Sequence, residues 1–592
     1  VMLLLSSSSV GYLGRHGWRG LECIQHPASC PIFSTSSAKM RKMFLDNIHL
    51  FKYYHTVDRV PVFLEQLSRG EAEAYSSILY PIGDPIFIHI LSRGGKERRL
   101  YIPVEPEPPK KDPVKLSEEV ERRLAMLVGE RFDYKTLDEK REKLLAILKK
   151  VVVTSNRLAQ GTYIIGEDKI YVSRDVWTYL EYTTIRDMAG MGKLEPMIRD
   201  PYIEDISIPG AGPVFLEHKV FEACESSVTF ELGELKDYAE RVSQIIGRPV
   251  SLKRPITDGS LPDGSRINIV YAGDVSLRGP NITIRRFSPI PLSIVELCRY
   301  NSLDYTMAAY LWMLLDNNLN VWFCGETASG KTTLLNACLA FIPFNYKIVS
   351  IEDTPEVVTP HANWVRECTR EGEGSTVSLF DLLRAALRQR PNYIIVGEIR
   401  GREGNVAFQA MQTGHGVIAT FHAGSVEKLI QRLTGQPIEI PKTYIDNLNA
   451  VTIQSAVRHP KTGKLVRRVL GIYEILGYDP VSERFQFIEI FGWDPVTDTF
   501  NFRGVGSSHL LEEKIAVRKG ISRRELRKIY EELEKRAEIL RIADYAGIRN
   551  YYQLFELFKE VRLLGPDEVL KRLRTGEIPM SRTGAPTSSA KV

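Results

Sequence analysis

The sequence predicts an α/β protein: a core of helices packed on a mainly parallel, buried sheet, a mixed α/β N-terminal domain before it, and β-hairpin and helical additions after it. Three observations carry this. Between Tyr305 and His422, helical segments (YTMAAYLWMLL, KTTLLNACLAFI, SLFDLLRAALRQ, VAFQAMQ) alternate with short apolar runs (NVWFCG, YKIVSIE, YIIVGE, VIATFH), the order of crossover-linked strands buried on both faces. Upstream, PYIEDISI, PVFLEH and INIVYA read as strands and Leu235 to Ile246 as a helix. Downstream, GYDPVSERFQF returns as GWDPVTDTFNF; aspartate then proline starts a turn between aromatic strands, so the repeat reads as successive structural hairpins.

In chain order, residues 1–45 are rich in Ser and Gly without periodicity and are expected to be a disordered leader. Its start has no basic residue before a very short apolar run, which makes a poor secretion signal. Cys23, His26 and Cys30 could meet a metal, but three ligands do not complete a tetrahedral zinc site, and unpaired thiols are the reading. Residues 46–192 form a first N-terminal region: Tyr80 to Pro106 alternates as β structure, PEPPKKDP is a linker, and Ser117 to Gly192 is helical apart from Thr162 to Val172. Residues 193–290 make the second N-terminal domain, 291–305 a proline-bearing linker, 306–480 the core and 481–505 the hairpin region. Residues 506–575 are helical: Ser522 and Glu525 suit a capping box, and Leu526, Ile529, Tyr530, Leu533, Ala537 and Leu540 share an apolar face read as core rather than as a partner-docking surface. A further helix runs from Tyr551 to about Leu573, and 576–592 are expected to be a disordered tail.

Composition excludes little but excludes it clearly. The 592 residues carry 78 basic and 73 acidic side chains, an excess that permits nucleic-acid binding without suggesting it. The most apolar stretch, Ala308 to Leu315, is stopped by Asp316, Asn317 and Asn318, far short of the ~18 residues of a membrane-spanning helix. Seven cysteines, an odd and sparse set, argue for a reducing compartment and a cytosolic chain.

GETASGKTT, spanning Gly325, Glu326, Thr327, Ala328, Ser329, Gly330, Lys331, Thr332 and Thr333, follows an apolar strand and opens a helix, the context in which such a loop wraps phosphate with its amides. Lys331 is expected to reach the β- and γ-phosphates, and the Thr332 hydroxyl to hold Mg²⁺. Ligands of a parallel sheet sit beyond the carboxyl ends of its strands. Glu352 (beside Asp353) and Glu398 both end strands, so Glu398 is assigned the attacking water and Glu352 a supporting role near the metal, or the reverse. His415 and His422 flank one strand; at ~3.3 Å per residue their backbones are roughly 20 Å apart, too far to share a metal. His422 ends the strand and is the candidate sensor of the γ-phosphate, whereas His415 begins it and equally suits a packed core.

Taken together, the phosphate loop, IEDTPE, VGEIRGRE and TGHGVIATFHAG resemble, in this order, the secretion ATPase superfamily that powers type II and type IV secretion, pili and the archaeal flagellum. KLEPMIRDPYIEDISIPGAGPVFLEH, SLPDGSRINI and ITIRRF are similar to its second N-terminal domain, and YPIGDPIFIHI and RRLYIPVEP to the archaeal branch. The resemblance implies a RecA-like ATPase core, a homohexameric ring, ATP as substrate with Mg²⁺, and arginines of the N-terminal lobe reaching the phosphates, which makes Arg254, Arg266, Arg285 and Arg286 candidates. It also implies a polytopic membrane platform protein as partner, no direct nucleic acid, and a cytoplasmic position peripheral to the inner face of the membrane. The tetracysteine zinc module of many bacterial relatives is missing, Cys324, Cys338 and Cys368 being too scattered. Two rivals remain: a RecA-like nucleic-acid translocase, distinguished by stimulation of hydrolysis by single-stranded DNA, and a non-hydrolysing nucleotide-binding scaffold, distinguished by a phosphate-release assay.

Overall fold

The computed structural model describes residues 30, 33, 36–57, 59–67, 74–94, 97–127, 133–134, 136–287, 290–370 and 376–577. The chain divides into two compact units, Val1–Phe287 and Ser288–Val592. Each has its own sheet and core.

The first unit is built on a ten-stranded sheet. Ser77–Pro81, Phe87–Leu91 and Arg99–Val104 form an antiparallel ladder over the stretch expected to be β structure. Arg99–Val104 then pairs in parallel with Glu222–Phe230, Cys224 opposite Arg99. The expected boundary at 192/193 therefore does not separate two sheets: an edge strand left open there finds its hydrogen-bond partner in the next region. Glu222–Phe230, Ile256–Ser260 and Asn281–Arg285 are strands that the sequence reading missed. Helices Pro113–Leu127, Leu137–Val151 and Arg174–Met188 pack with three short strands into a separate apolar cluster, matching the helical stretch and its β interruption.

The leader is the clearest correction. Ala38–Asp46 is a helix N-capped by Ser37, and it buries Met40 and Phe44 with Cys30, Phe51, Leu79 and Phe87. Met40 and Phe44 lie one helical turn apart, a two-residue stripe that the lysines and serines around it concealed. The Cys30 thiol lies 3.3 Å from His55 Nε2; Cys23 and His26 lie outside the described residues. No group of three or more metal-capable side chains occurs among the described residues.

The second unit carries a nine-stranded sheet in the order Trp364–Cys368, Ile348–Glu352, Tyr393–Val396, Gly416–Phe421, Val321–Gly325, Ala450–Arg458, Leu465–Asp479, Arg484–Asp494, Thr499–Phe502. The first six run parallel and the rest antiparallel. Every residue of Val321–Gly325, Ile348–Glu352, Tyr393–Val396 and Gly416–Phe421 is buried, as strands covered on both faces must be. The repeat does form two successive hairpins, turning after Asp479 and Asp494. They are not a separate region at 481–505, however: their strands continue the core sheet, so the antiparallel ladder hides an edge that the parallel part would expose.

In the C-terminal part, Ile529, Leu533, Ala537 and Leu540 of helix Arg527–Tyr545 are buried in the cluster that includes helix Tyr305–Asp316, so the apolar face is core. The expected capping box at Ser522 does not form. A 3₁₀ turn, Arg523–Glu525, bonds the Glu525 amide to the Ser522 carbonyl at 2.8 Å and leaves the hydroxyl to the Glu525 carboxylate at 3.0 Å. The last helical stretch is two helices, Tyr551–Leu564 and Pro566–Thr575, separated at Gly565 (φ +85°). The tail expected from 576 falls, beyond residue 577, outside the described residues. Among those residues no helix is long and apolar enough to cross a membrane.

Candidate active site

Strand Val321–Gly325 delivers the phosphate loop, and helix Lys331–Leu339 receives it. Gly325 has no room for a side chain: a Cβ there would stand 2.3 Å from the Gln454 carbonyl oxygen. Gly330 adopts φ +92° as the helix N-cap, a conformation that costs glycine little. Within the loop, the Glu326 carbonyl accepts bonds from Lys331 Nζ and from Ser329 Oγ, both at 2.8 Å. Lys331 is 7% exposed, and burial depresses its proton affinity while Glu398 supports its charge. Thr332 and Thr333 follow it, half-buried, on the first helical turn.

Glu352, Glu398 and His422 come to the same edge of the sheet as the loop, because their strands pair in parallel on one side of Val321–Gly325. Glu398 accepts a bond from Arg400 at 2.5 Å and lies 3.0 Å from His422 Nε2. Burial favours its protonation, but the bond to Arg400 and the charges of Arg400 and Lys331 outweigh that and hold the carboxyl below its ordinary range. The His422 imidazole is also held below its usual value, by burial and then by Lys331, so the ring is neutral near pH 7 and places its Nε2 proton toward Glu398.

Glu352 behaves differently. Its side chain is 1% exposed, one oxygen accepts the amides of Glu356 and Val357 at 2.7 Å each, and the other, Oε2, makes no hydrogen bond. Burial pushes its proton affinity up to about 7. That oxygen faces Arg366 Nε at 3.8 Å, and it and the Thr332 hydroxyl are of the oxygen type that a hydrated Mg²⁺ prefers.

His415 begins the strand that His422 ends, at the opposite edge, and its Nδ1 meets Thr413 Oγ1 at 3.0 Å. The four candidate arginines belong to the first unit. Arg286 is largely buried and paired with Asp263 at 2.8 Å, and Arg285 lies 3.5 Å from Asp205. Arg266 and Arg285 are exposed and face each other across adjacent strands, with Asp205 opposite Arg285 on the next one. Arg254 is exposed beside Ser251. The sequence reading missed three basic residues at the loop: Arg400; Arg432, which bonds the His422 carbonyl and lies over the Phe421 ring at 4.7 Å; and Arg467, which bonds the Ala328 carbonyl at 3.0 Å. Glu326, Thr327, His422, Lys428, Gln431 and Arg432 line a cleft of about 720 Å³ beside the loop.

Residues 187–522 match the model of a family described as type II/IV secretion system protein. An uncharacterized protein of Methanocaldococcus jannaschii is 43% identical over 539 residues, covering 88% of this chain and 96% of the relative. The type IV secretion system protein VirB11 of Brucella suis is 27% identical over 332 residues, 49% of this chain and 90% of that one. Among solved structures, the ATPase DotB of Legionella pneumophila is 20% identical with a TM-score of 0.37, covering 57% of this chain and 93% of its own.

Proposed function

Because the chain belongs to the type II/IV secretion system protein family, the superfamily of secretion ATPases, we propose that it is a Mg²⁺-dependent ATPase that drives such a machine. The observation that carries this is the convergence of Lys331, Glu398 and His422 on the edge of the sheet from which the phosphate loop emerges. Bound ATP would replace the Glu326 carbonyl as the partner of Lys331 and take up the loop amides at the positive end of the helix. Mg²⁺, when bound, neutralises charge on the β- and γ-phosphates. Glu398, ionised by its basic neighbours, orients the attacking water and accepts its proton; His422, neutral and bonded to that carboxylate, reports on the γ-phosphate. Glu352 would support the metal's water shell through Oε2, which makes no hydrogen bond and has Arg366 at 3.8 Å. Arg254, Arg266, Arg285 and Arg286 are the N-terminal candidates for the phosphates, Arg285 lying 3.5 Å from Asp205 and Arg286 2.8 Å from Asp263.

In this reading the motor works as a homohexamer on the cytoplasmic face of the membrane, pushing on a polytopic platform protein without touching nucleic acid. Glu398→Gln is expected to keep ATP affinity while turnover falls by ~10² or more. Near-normal phosphate release in that variant would sink the assignment.

A further inference from the structure

Arg467 lies 139 residues from the phosphate loop in sequence yet touches it. It stands on strand Leu465–Asp479, opposite Ala456 of strand Ala450–Arg458. That strand pairs in parallel with Val321–Gly325, Gln454 opposite Gly325. The hairpin thus forms a wall along the back of the loop.

Two contacts tie Arg467 to it. Its Nε donates to the Ala328 carbonyl at 3.0 Å, and its aliphatic stem runs past Gly330, where a Cβ would meet Arg467 Cδ at 3.3 Å. Ala328 has φ +60°, left-handed backbone that a residue with a Cβ holds only when its surroundings require it. The next residue points the other way and anchors the strand: Arg468, 4% exposed, bonds both oxygens of Asp498 at 2.8 Å and the Tyr300 carbonyl at 3.1 Å. Asp498 belongs to the second copy of the repeat and also accepts Trp493 Nε1 and Asn301 Nδ2. Its counterpart in the first copy, Glu483, lies on an exposed turn. The divergence of the two copies therefore falls where one of them braces the arginine strand.

We infer that Arg467 is a positioning residue of the phosphate loop, holding Ala328 in its left-handed conformation so that the loop amides face inward before nucleotide arrives. The inference rests on the nucleotide-binding reading above. Its agent is the Nε donor, and glutamine can reproduce that donor: its amide nitrogen is the same number of bonds from Cα as Arg Nε, without the charge. Lysine keeps the charge and loses the donor at that place.

The test uses the full chain with Mg²⁺ and a fluorescent ATP analogue, measuring Kd and kcat for Arg467→Ala, Arg467→Gln and Arg467→Lys. Arg467→Ala is expected to raise Kd about tenfold while kcat changes by less than about threefold, as loss of one charge-assisted bond outside the chemistry implies. Arg467→Gln returns close to the wild-type Kd, and Arg467→Lys stays with alanine. Rescue by lysine and not by glutamine overturns the inference, since the charge would then act on the phosphates directly; so does an unchanged Kd in Arg467→Ala. Should the alanine variant fail to fold, the order of the glutamine and lysine variants alone decides. A wild-type chain that binds no nucleotide overturns the inference together with the reading beneath it, whereas wild-type hydrolysis with three indifferent variants overturns the inference alone.

Discussion

Glu352 and Glu398 close two strands that pair side by side, yet they are chemically unlike. Glu352 is sealed in, its burial pushing its proton affinity to about 7; Glu398 is partly open, with Arg400 and Lys331 keeping it ionised. Position at the strand end brings a carboxylate to the phosphate loop, and its neighbours decide what it can do there. A carboxylate that must orient water at neutral pH has to be charged, whereas one that supports a hydrated metal can tolerate being charged only when the cation is beside it.

The sharpest way to break this comparison is to neutralise each in turn. Glu398→Gln loses ~10² or more of turnover and Glu352→Gln only about tenfold, both measured as phosphate release at saturating ATP; equal losses would mean that the two share one role. Next come the histidines at the two ends of one strand. His422→Ala is expected to slow hydrolysis by about tenfold to a hundredfold with nucleotide affinity retained, and His415→Ala to stay within about threefold. If His415→Ala does equal damage, edge position does not separate their tasks.

A separate readout is stability. Glu352 binds its proton more tightly folded than unfolded, so the folded state holds more protons between about pH 4.5 and 7, and stability falls as pH rises through that window. Removing the titration should make Glu352→Gln more stable than wild type at pH 8, by roughly 3 kcal/mol at most, while the two converge below pH 4.5. Urea melts across pH 4 to 8 check the sign; a variant less stable at pH 8 would mean that the carboxylate is wanted in its charged form even without nucleotide.

The core of the second unit was legible because several signals agreed on each element. Buried parallel strands read as apolar runs, the loop has its glycines, and Glu352, Glu398 and His422 end strands that all point the same way. What escaped the reading lacks local pattern. Glu222–Phe230 alternates too weakly to register as a strand, and helix Ala38–Asp46 announces itself only through Met40 and Phe44. Arg400, Arg432 and Arg467 look like ordinary surface charges until the fold brings them to the loop. For Arg467 no sequence signal existed, since its partner is a backbone carbonyl, the same in every residue.

The sheet that carries the loop is unbroken from Trp364–Cys368 to Thr499–Phe502, with the loop strand fifth of nine. With strands ~4.8 Å apart, the two strands of the first hairpin lie roughly 10 and 14 Å sideways from the loop strand. It is rooted beside the loop and free at its tip, where Val481 is 92% exposed. Such a plate resists stretching across its width better than it resists twisting. The loop strand and the hairpin therefore share one hydrogen-bonded frame, and the exposed tip stands at its margin.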